Sequence, residues 1–259
     1  FRPVTAHLTL KRRKGWEKAP VVALAGNPNT GKSTLFNAIT GLKQHTGNWP
    51  GKTVALKWGA YRHRGRSLLL VDLPGTYSLV ASSPEEQVAR DFLLLYRPEV
   101  TVVVADATCL ERNLHLVLQV LEITPRTVLA VNLMDEARRR HLEIDTSTLA
   151  RELGIPVVGT AATVGLGIKE LLDRVDDILT GKILPQPQTL DYGQEIEAAI
   201  ARLLPLVEAN LQDQISPRWL ALRLLEGNHQ NLPLKSPLPL ALEDLWYGTG
   251  GNTDAEAGR

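Results

Sequence analysis

The residues best equipped for chemistry are Gly26-Asn-Pro-Asn-Thr-Gly-Lys-Ser33, which fit Gly-x4-Gly-Lys-Ser. Spaced glycines followed by a lysine and a hydroxyl suit a loop that wraps a phosphate chain. Gly26 and Gly31 allow a tight turn and a close approach to an anion with no Cβ between. Successive backbone N–H groups would face the phosphates, and the positive end of the next helix would add to them. Lys32 would reach the β- and γ-phosphates as a point charge, and the Ser33 hydroxyl would ligate Mg²⁺. The flanks agree. Val21-Val-Ala-Leu-Ala25 reads as a buried strand, and residues 32–40 read as a helix stopped by Gly41.

Two further motifs follow in order. Leu68-Leu-Leu-Val-Asp72-Leu-Pro-Gly75 is a strand ending in Asp-x-x-Gly. Asp72 would hold Mg²⁺ through a water, and the Gly75 N–H would touch the γ-phosphate. Many GTPases carry Gln next, to position the attacking water. Here it is Thr76, so hydrolysis needs help from elsewhere. Thr127-Val-Leu-Ala-Val131 is another buried strand, and Asn132-Leu-Met-Asp135 closes it. The Asp135 carboxylate would accept from the guanine N1–H and exocyclic amine, which adenine lacks, so discrimination would be steep. Alone, Asn-x-x-Asp is also a helix cap and Asp-x-x-Gly an ordinary turn. Their order, with Asn-x-x-Asp about 100 residues after the phosphate loop, favours a guanine nucleotide site.

At this point a family resemblance emerges. Together with these motifs, Gly47-Asn-Trp-Pro-Gly-Lys-Thr53, Asp72-Leu-Pro-Gly-Thr-Tyr-Ser78, Ser83-Pro-Glu-Glu86 and Leu110-Glu-Arg-Asn-Leu114 resemble the cytoplasmic GTPase domain of the bacterial ferrous iron transporter family FeoB. Residues 218–227 resemble the helical domain that follows it, so the likeness spans roughly residues 20–230. The resemblance implies a Ras-like P-loop GTPase domain with a six-stranded, mostly parallel sheet, then a small all-α domain. It makes Thr53 the Mg²⁺-binding, γ-phosphate-sensing threonine of switch I (44–53), with switch II from 72 to about 90. It also implies a K⁺ site formed by Asn29 and the carbonyls of Gly47 and Trp49. Such a cation would supply part of the charge stabilisation that an arginine finger, worth about 10³–10⁵ in rate, supplies elsewhere.

The expected nucleotide contacts are therefore Gly26, Asn27, Pro28, Asn29, Thr30, Gly31, Lys32, Ser33, Thr34, Thr53, Asp72, Leu73, Pro74, Gly75, Asn132, Met134 and Asp135, with Thr160, Ala161 and Ala162 beside ribose and base. Asn29, Lys32, Thr53 and Gly75 are the catalytic set; Ser33, Thr53 and Asp72 are the Mg²⁺ set. Gly159 stands where the family commonly has Pro, and Cys109 where it commonly has Asn. Thr163 closes the 160–163 stretch.

Composition agrees with this reading and narrows the alternatives. The 259 residues are 44% hydrophobic, enough for one sizeable core and a small second unit. The net charge is +1, and residues 1–20 carry six basic side chains (Arg2, Lys11, Arg12, Arg13, Lys14, Lys18) against Glu17. The rest is therefore net −4, which gives no electrostatic case for nucleic acid. The Lys11-Arg-Arg-Lys14 run reads as a solvated arm. Cys109 is the single cysteine, so no intramolecular disulfide forms; it is expected to pack or cap, not to act as a nucleophile. The six histidines, His7, His45, His63, His115, His141 and His229, show no ligand spacing, and no iron site is expected. His63 is expected at an exposed strand edge.

No stretch reaches the ~20 apolar residues of a membrane span. The chain starts Phe1-Arg-Pro-Val without Met or signal peptide, so a fragment is expected, with a permease part beyond Arg259 on the cytoplasmic face of the bacterial inner membrane. That permease is the expected partner, along with GTP/GDP; the loop-rich switches could also permit self-association.

Strands alternating with amphipathic helices argue for an α/β class. Ser83 caps a helix with Pro84 in its first turn, and Val88, Phe92, Leu95 and Tyr96 form its apolar face. Residues 53–64 should be an antiparallel edge strand, and Asp145 should cap a helix ending at Gly154. The expected domains are a basic arm at 1–20, the G domain at 21–181, a helical domain at 182–247 and a disordered tail at 248–259, with a linker at 180–187. In the helical part, Ile196, Ile200, Leu203 and Val207 should share one face, interrupted near Pro205. Ser216-Pro217 should open a second helix and residues 238–246 a third.

Three functions compete: a transporter-attached GTPase switch, a soluble ribosome-assembly GTPase, and a non-catalytic GTP-binding module. The ribosomal class would normally append a basic RNA-binding domain, and residues 182–259 hold no basic run. Thr76 is what suggests the third.

Overall fold

The computed structural model describes residues 19–41, 44–48, 54–80, 83–210 and 215–227, with backbone alone at 44, 47, 48 and 210. Trp49, Thr53, residues 1–18 of the basic arm, the third helix and the tail lie outside the described residues. Those described fall into two compact units, one ending at Leu190 and the other beginning at Asp191.

The first unit is a seven-stranded sheet in the order β2-β3-β4-β1-β5-β6-β7. Its strands are β1 (Val21–Gly26), β2 (Gln44–Asn48), β3 (Ala55–His63), β4 (Arg66–Asp72), β5 (Val100–Asp106), β6 (Thr127–Asn132) and β7 (Val157–Gly159). Only β3 runs antiparallel, to both β2 and β4; the other four pairings are parallel. Seven strands replace the expected six because the start of the presumed switch I is itself the edge strand β2. Consequently β3 lies one place inside the edge.

Strand residues alternate between two cores, as a period of two requires. Val21, Ala23, Ala25, Val103, Leu129 and Val131 face α2 (Pro84–Asp91) and α3 (Leu110–Ile123) through Val88, Leu116, Val117 and Val120. Val22, Leu24, Val102, Val104, Val128 and Ala130 face α1 (Lys32–Thr40) and α6 (Ile168–Leu179) through Leu35, Phe36, Leu171 and Val175. A parallel sheet covered on both faces explains the unbroken apolar runs. Full burial of a side chain such as Phe36 contributes about 2 kcal/mol.

Local chemistry sets the helix ends. Ser83 Oγ accepts from the Glu86 N–H at 3.2 Å with Pro84 in the first turn, as expected. Asp145 caps α5 (Thr146–Leu153), and Gly154 ends it. The hydroxyls of Ser147 and Thr148 hold the Asp145 carboxyl well below its ordinary range. After α2 the chain widens into a π turn at Phe92–Tyr96. The extra residue per turn brings Leu93 and Leu94 into the core where regular helical spacing expects Leu95.

The stretch expected as a linker stays on this unit. The Gln186 N–H donates to the Gly154 carbonyl at 2.9 Å, and Gln188 to Leu153 at 3.3 Å. The division between units thus falls after Leu190, beyond 180–187.

The second unit contains α7 (Gln194–Asn210) and α8 (Pro217–Leu225), joined by Ile200, Ala221 and Leu222 with Leu203, Leu204 and Leu225 around them. Ser216 caps α8. Pro205 does not interrupt α7, and Ile196, expected inward, is exposed. Glu197 and Arg218 clasp the two helices in a bidentate pair at 2.7 and 2.9 Å.

Candidate functional site

The phosphate loop leaves β1 at Gly26, where a Cβ would lie 2.5 Å from the Val104 carbonyl oxygen, so only glycine fits. Thr30 Oγ1 donates to the Asn27 carbonyl at 3.0 Å and closes the turn. Asn29 (φ 67°) and Gly31 (φ 78°) are both left-handed. Such alternation turns successive N–H groups to one side and forms an anion-binding concavity. Gly31 sits at the N-cap of α1, where no side chain caps the helix, and its absent Cβ leaves room for the Asn132 amide. The first-turn donors therefore remain available to a ligand.

Lys32 is buried and ion-paired with Asp72 at the end of β4, the strand beside β1. Its ammonium also donates to the Leu73 carbonyl at 2.6 Å. Ser33 Oγ stands 3.5 Å from the other Asp72 oxygen. Ser33 and Thr34 are exposed on the first turn of α1. A hydroxyl and a carboxylate at this spacing suit a hard cation such as Mg²⁺. Leu73 and Pro74 lead to Gly75, which lies against Pro28; a Cβ there would be 3.2 Å from Pro28 Cα. The Thr76 N–H donates to the Gly26 carbonyl at 3.2 Å, which ties the Asp-x-x-Gly turn to the phosphate loop.

Thr76 is buried, and its hydroxyl is turned into its own loop. It donates to the Ser78 carbonyl at 2.5 Å and accepts from the Ser78 N–H at 3.0 Å. The residue in the Gln position thus closes a local turn.

The base side is built around Asn132, 1% exposed. Its Nδ2 donates to the Thr30 carbonyl at 2.9 Å, while Oδ1 accepts from Thr160 Oγ1 at 3.0 Å and the Ala162 N–H at 3.1 Å. The Met134 N–H donates to the Thr160 carbonyl at 3.1 Å. One side chain therefore joins the phosphate loop to the 160–162 loop. Asp135 follows at the start of α4 (Met134–Arg139), and its Oδ1 is buried with no hydrogen-bond partner. A buried carboxylate oxygen without a donor is costly, and a ligand bearing N–H groups would satisfy it.

The structure thus gathers residues 26–34, 72–75, 132–135 and 160–162 at one end of the parallel strands. Thr163 is exposed beyond them. Of the K⁺ set, Asn29 is exposed on the loop and Gly47 lies in β2 opposite Leu56. Trp49 and Thr53 are not described. Cys109 is exposed rather than packed and holds the N-cap position of α3 without capping through its side chain. Partial desolvation and the Asp106 charge raise its thiol pKa, which disfavours a nucleophile. His63 is not an exposed edge residue: its Nε2 lies 2.7 Å from Asp173 on α6, with the side chain 13% exposed.

A strand–loop–helix with Gly-x4-Gly-Lys-Ser, an Asp-x-x-Gly on the next strand and an Asn-x-x-Asp at the end of β6 define a P-loop domain of the GTPase fold. Comparison with known proteins gives the family. Residues 20–175 match the family model for ferrous iron transport protein B, and residues 192–235 that of the FeoB cytosolic helical domain. The chain belongs to the FeoB family. It is 40% identical over 214 residues to the Fe(2+) transport protein A/Fe(2+) transporter FeoB fusion protein of Porphyromonas gingivalis (81% of this chain, 25% of the relative). It is 38% identical over 218 residues to the Fe(2+) transporter FeoB of Escherichia coli K12 (82% of this chain, 27% of the relative). The chain thus spans about a quarter of the length of these curated relatives. Among solved structures it is similar to the cytosolic domain of the T. maritima FeoB iron transporter in its GMPPNP form, with a TM-score of 0.78, 36% identity, and coverage of 92% of this chain and 88% of that one. The T. maritima GDP form I gives 0.77 and 36%, with the same coverages. Among the described residues, no helix is long and apolar enough to cross a membrane.

Proposed function

We propose that the first unit binds GTP with Mg²⁺ and hydrolyses it to GDP and phosphate, as the cytoplasmic nucleotide switch of a bacterial ferrous iron transporter. The observation that carries this reading is the buried, unpartnered Oδ1 of Asp135, on an element that Asn132 ties to the phosphate loop. Two guanine N–H groups match that carboxylate; the adenine edge does not. Solved relatives in GDP and GMPPNP forms support the same ligand class.

In this reading the 26–33 amides and Lys32 hold the phosphates, and the Gly75 N–H meets the γ-phosphate. Ser33, Thr53 and Asp72 would hold Mg²⁺, which neutralises charge on the phosphate oxygens when bound. No general base is assigned. Lys32 must exchange Asp72 for phosphate oxygens, so the two side chains separate on loading. Thr76 is occupied by Ser78, so help for hydrolysis comes from elsewhere, and the exposed Asn29 carboxamide is suited to a K⁺ ligand. Residues 44–53 and 72–90 would order around the γ-phosphate and relax afterwards, and the rest of the full-length protein would read that change at the cytoplasmic face of the inner membrane.

Calorimetry with Mg²⁺ tests the base assignment: GTP and GDP should bind and ATP should not. Equal binding of ATP would overturn it. Turnover in K⁺ against Na⁺ tests the monovalent site. Wild type should be faster in K⁺, and Asn29→Ala should lose that difference.

A further inference from the structure

We propose that Gln119 on α3 is a positioning residue for the γ-phosphate contact, because it holds the backbone just beyond Gly75. The proposal rests on the GTP reading above. Gly75 is followed by a short segment anchored at both ends. At the near end, the Thr76 N–H is bonded to the Gly26 carbonyl at 3.2 Å. At the far end, the Leu79 N–H donates to Gln119 Oε1 at 2.7 Å, and Ser78 Oγ lies 3.3 Å from the same oxygen. Between them Thr76 and Ser78 close on each other, and the Val80 N–H donates to Ser78 Oγ at 3.1 Å.

The amide orientation follows from its neighbours. The Leu79 N–H needs an acceptor, so Oε1 faces it, and Nε2 is left toward His115 Nε2 at 3.0 Å. That ring nitrogen is then the acceptor of the contact. Leu79 is 2% exposed, so packing fixes its side chain while Gln119 fixes its N–H. α3 also places Arg112 over the Tyr77 ring, 4.7 Å from the guanidinium carbon to the centroid. Residues 77, 78 and 79 are therefore all docked on α3.

The consequence is selective. GDP has no γ-phosphate to meet the Gly75 N–H, so loosening residues 76–79 should matter to the triphosphate alone. A Gln119→Leu variant keeps the side-chain bulk and removes the acceptor. Gln119→Glu keeps an acceptor for the Leu79 N–H. Titration calorimetry with GMPPNP and GDP in Mg²⁺ reads the difference. Gln119→Leu should weaken GMPPNP binding about five- to ten-fold, the worth of one hydrogen bond, with GDP affinity unchanged. Gln119→Glu should restore most of it. Amide exchange should be faster at Leu79 in Gln119→Leu, with β1 still protected.

Unchanged GMPPNP affinity, or an equal loss for both nucleotides, would overturn the proposal. So would a Leu79 amide as protected in Gln119→Leu as in wild type. A wild-type protein that binds neither nucleotide overturns the GTP reading itself, and does so before any variant is made.

Discussion

Asn132 Nδ2 donates to the Thr30 carbonyl at 2.9 Å across 102 residues of sequence. The same side chain accepts from Thr160 and Ala162. Truncation to Ala would orphan a buried carbonyl and a buried N–H, at about 1–3 kcal/mol each. Asn132→Ala should lower the unfolding midpoint by several degrees and weaken every guanine nucleotide alike. A differential scan with and without GDP checks this. An unchanged midpoint would show that the two loops hold together without it.

Asp135 supplies a carboxylate where a base would sit. Asp135→Asn exchanges an acceptor for a donor, which matches a purine bearing a carbonyl in place of the amine. GTP affinity should fall at least about a hundred-fold, two charge-assisted bonds at about 1.5 kcal/mol each, and xanthosine triphosphate should gain. Competition binding with both triphosphates reads the switch. An Asn variant that still prefers GTP would remove Asp135 from base selection.

Lys32 and Asp72 form a buried pair. Lys32→Met would leave the carboxylate uncompensated, at a cost of about 3–5 kcal/mol. Lys32→Met with Asp72→Asn should regain most of that stability, yet bind no triphosphate tightly. Denaturant midpoints of the two single variants and the double variant test it; additive losses would mean that the pair is not coupled.

Glu197 titrates low. The Arg218 guanidinium first, then the Tyr192 N–H, hold its carboxyl down to about 2 from an ordinary 4.5. A depressed carboxyl stabilises the fold above its unfolded pKa and loses that contribution as pH falls through the folded one. The stability gap between wild type and Glu197→Gln should be full at neutral pH, shrink below about 4.5 and close near 2. Thermal melts across that range measure it. The pair is partly exposed, so the gap should be modest and smaller in high salt. A gap independent of pH would remove the charge from the explanation.

The site was legible because its chemistry sits at the ends of apolar runs. Val21–Gly26 and Thr127–Asn132 advertise buried strands by hydrophobicity, and the reactive residues follow directly. What escaped has no local signature. Gln44–Asn48 is polar and becomes a strand only by pairing with β3, where His45 stacks on Trp58 with centroids 4.4 Å apart. The attachment of residues 186 and 188 runs through backbone groups, which no side-chain pattern encodes. Gln119 reads as the polar side of an amphipathic helix until the loop it holds is seen. His63 finds its carboxylate 110 residues away.

That last contact belongs to a set. His63 meets Asp173, Arg64 meets Asp173 and Asp177, and Arg66 meets Asp176, so the tip of the β3–β4 hairpin is riveted to α6 at several points. A one-residue slip of a strand exchanges its inner and outer faces, and here it would also tear out those rivets. The ribbon therefore cannot ratchet lengthwise. Any rearrangement of Gln44–Asn48 would therefore take place against β3 as a fixed rail.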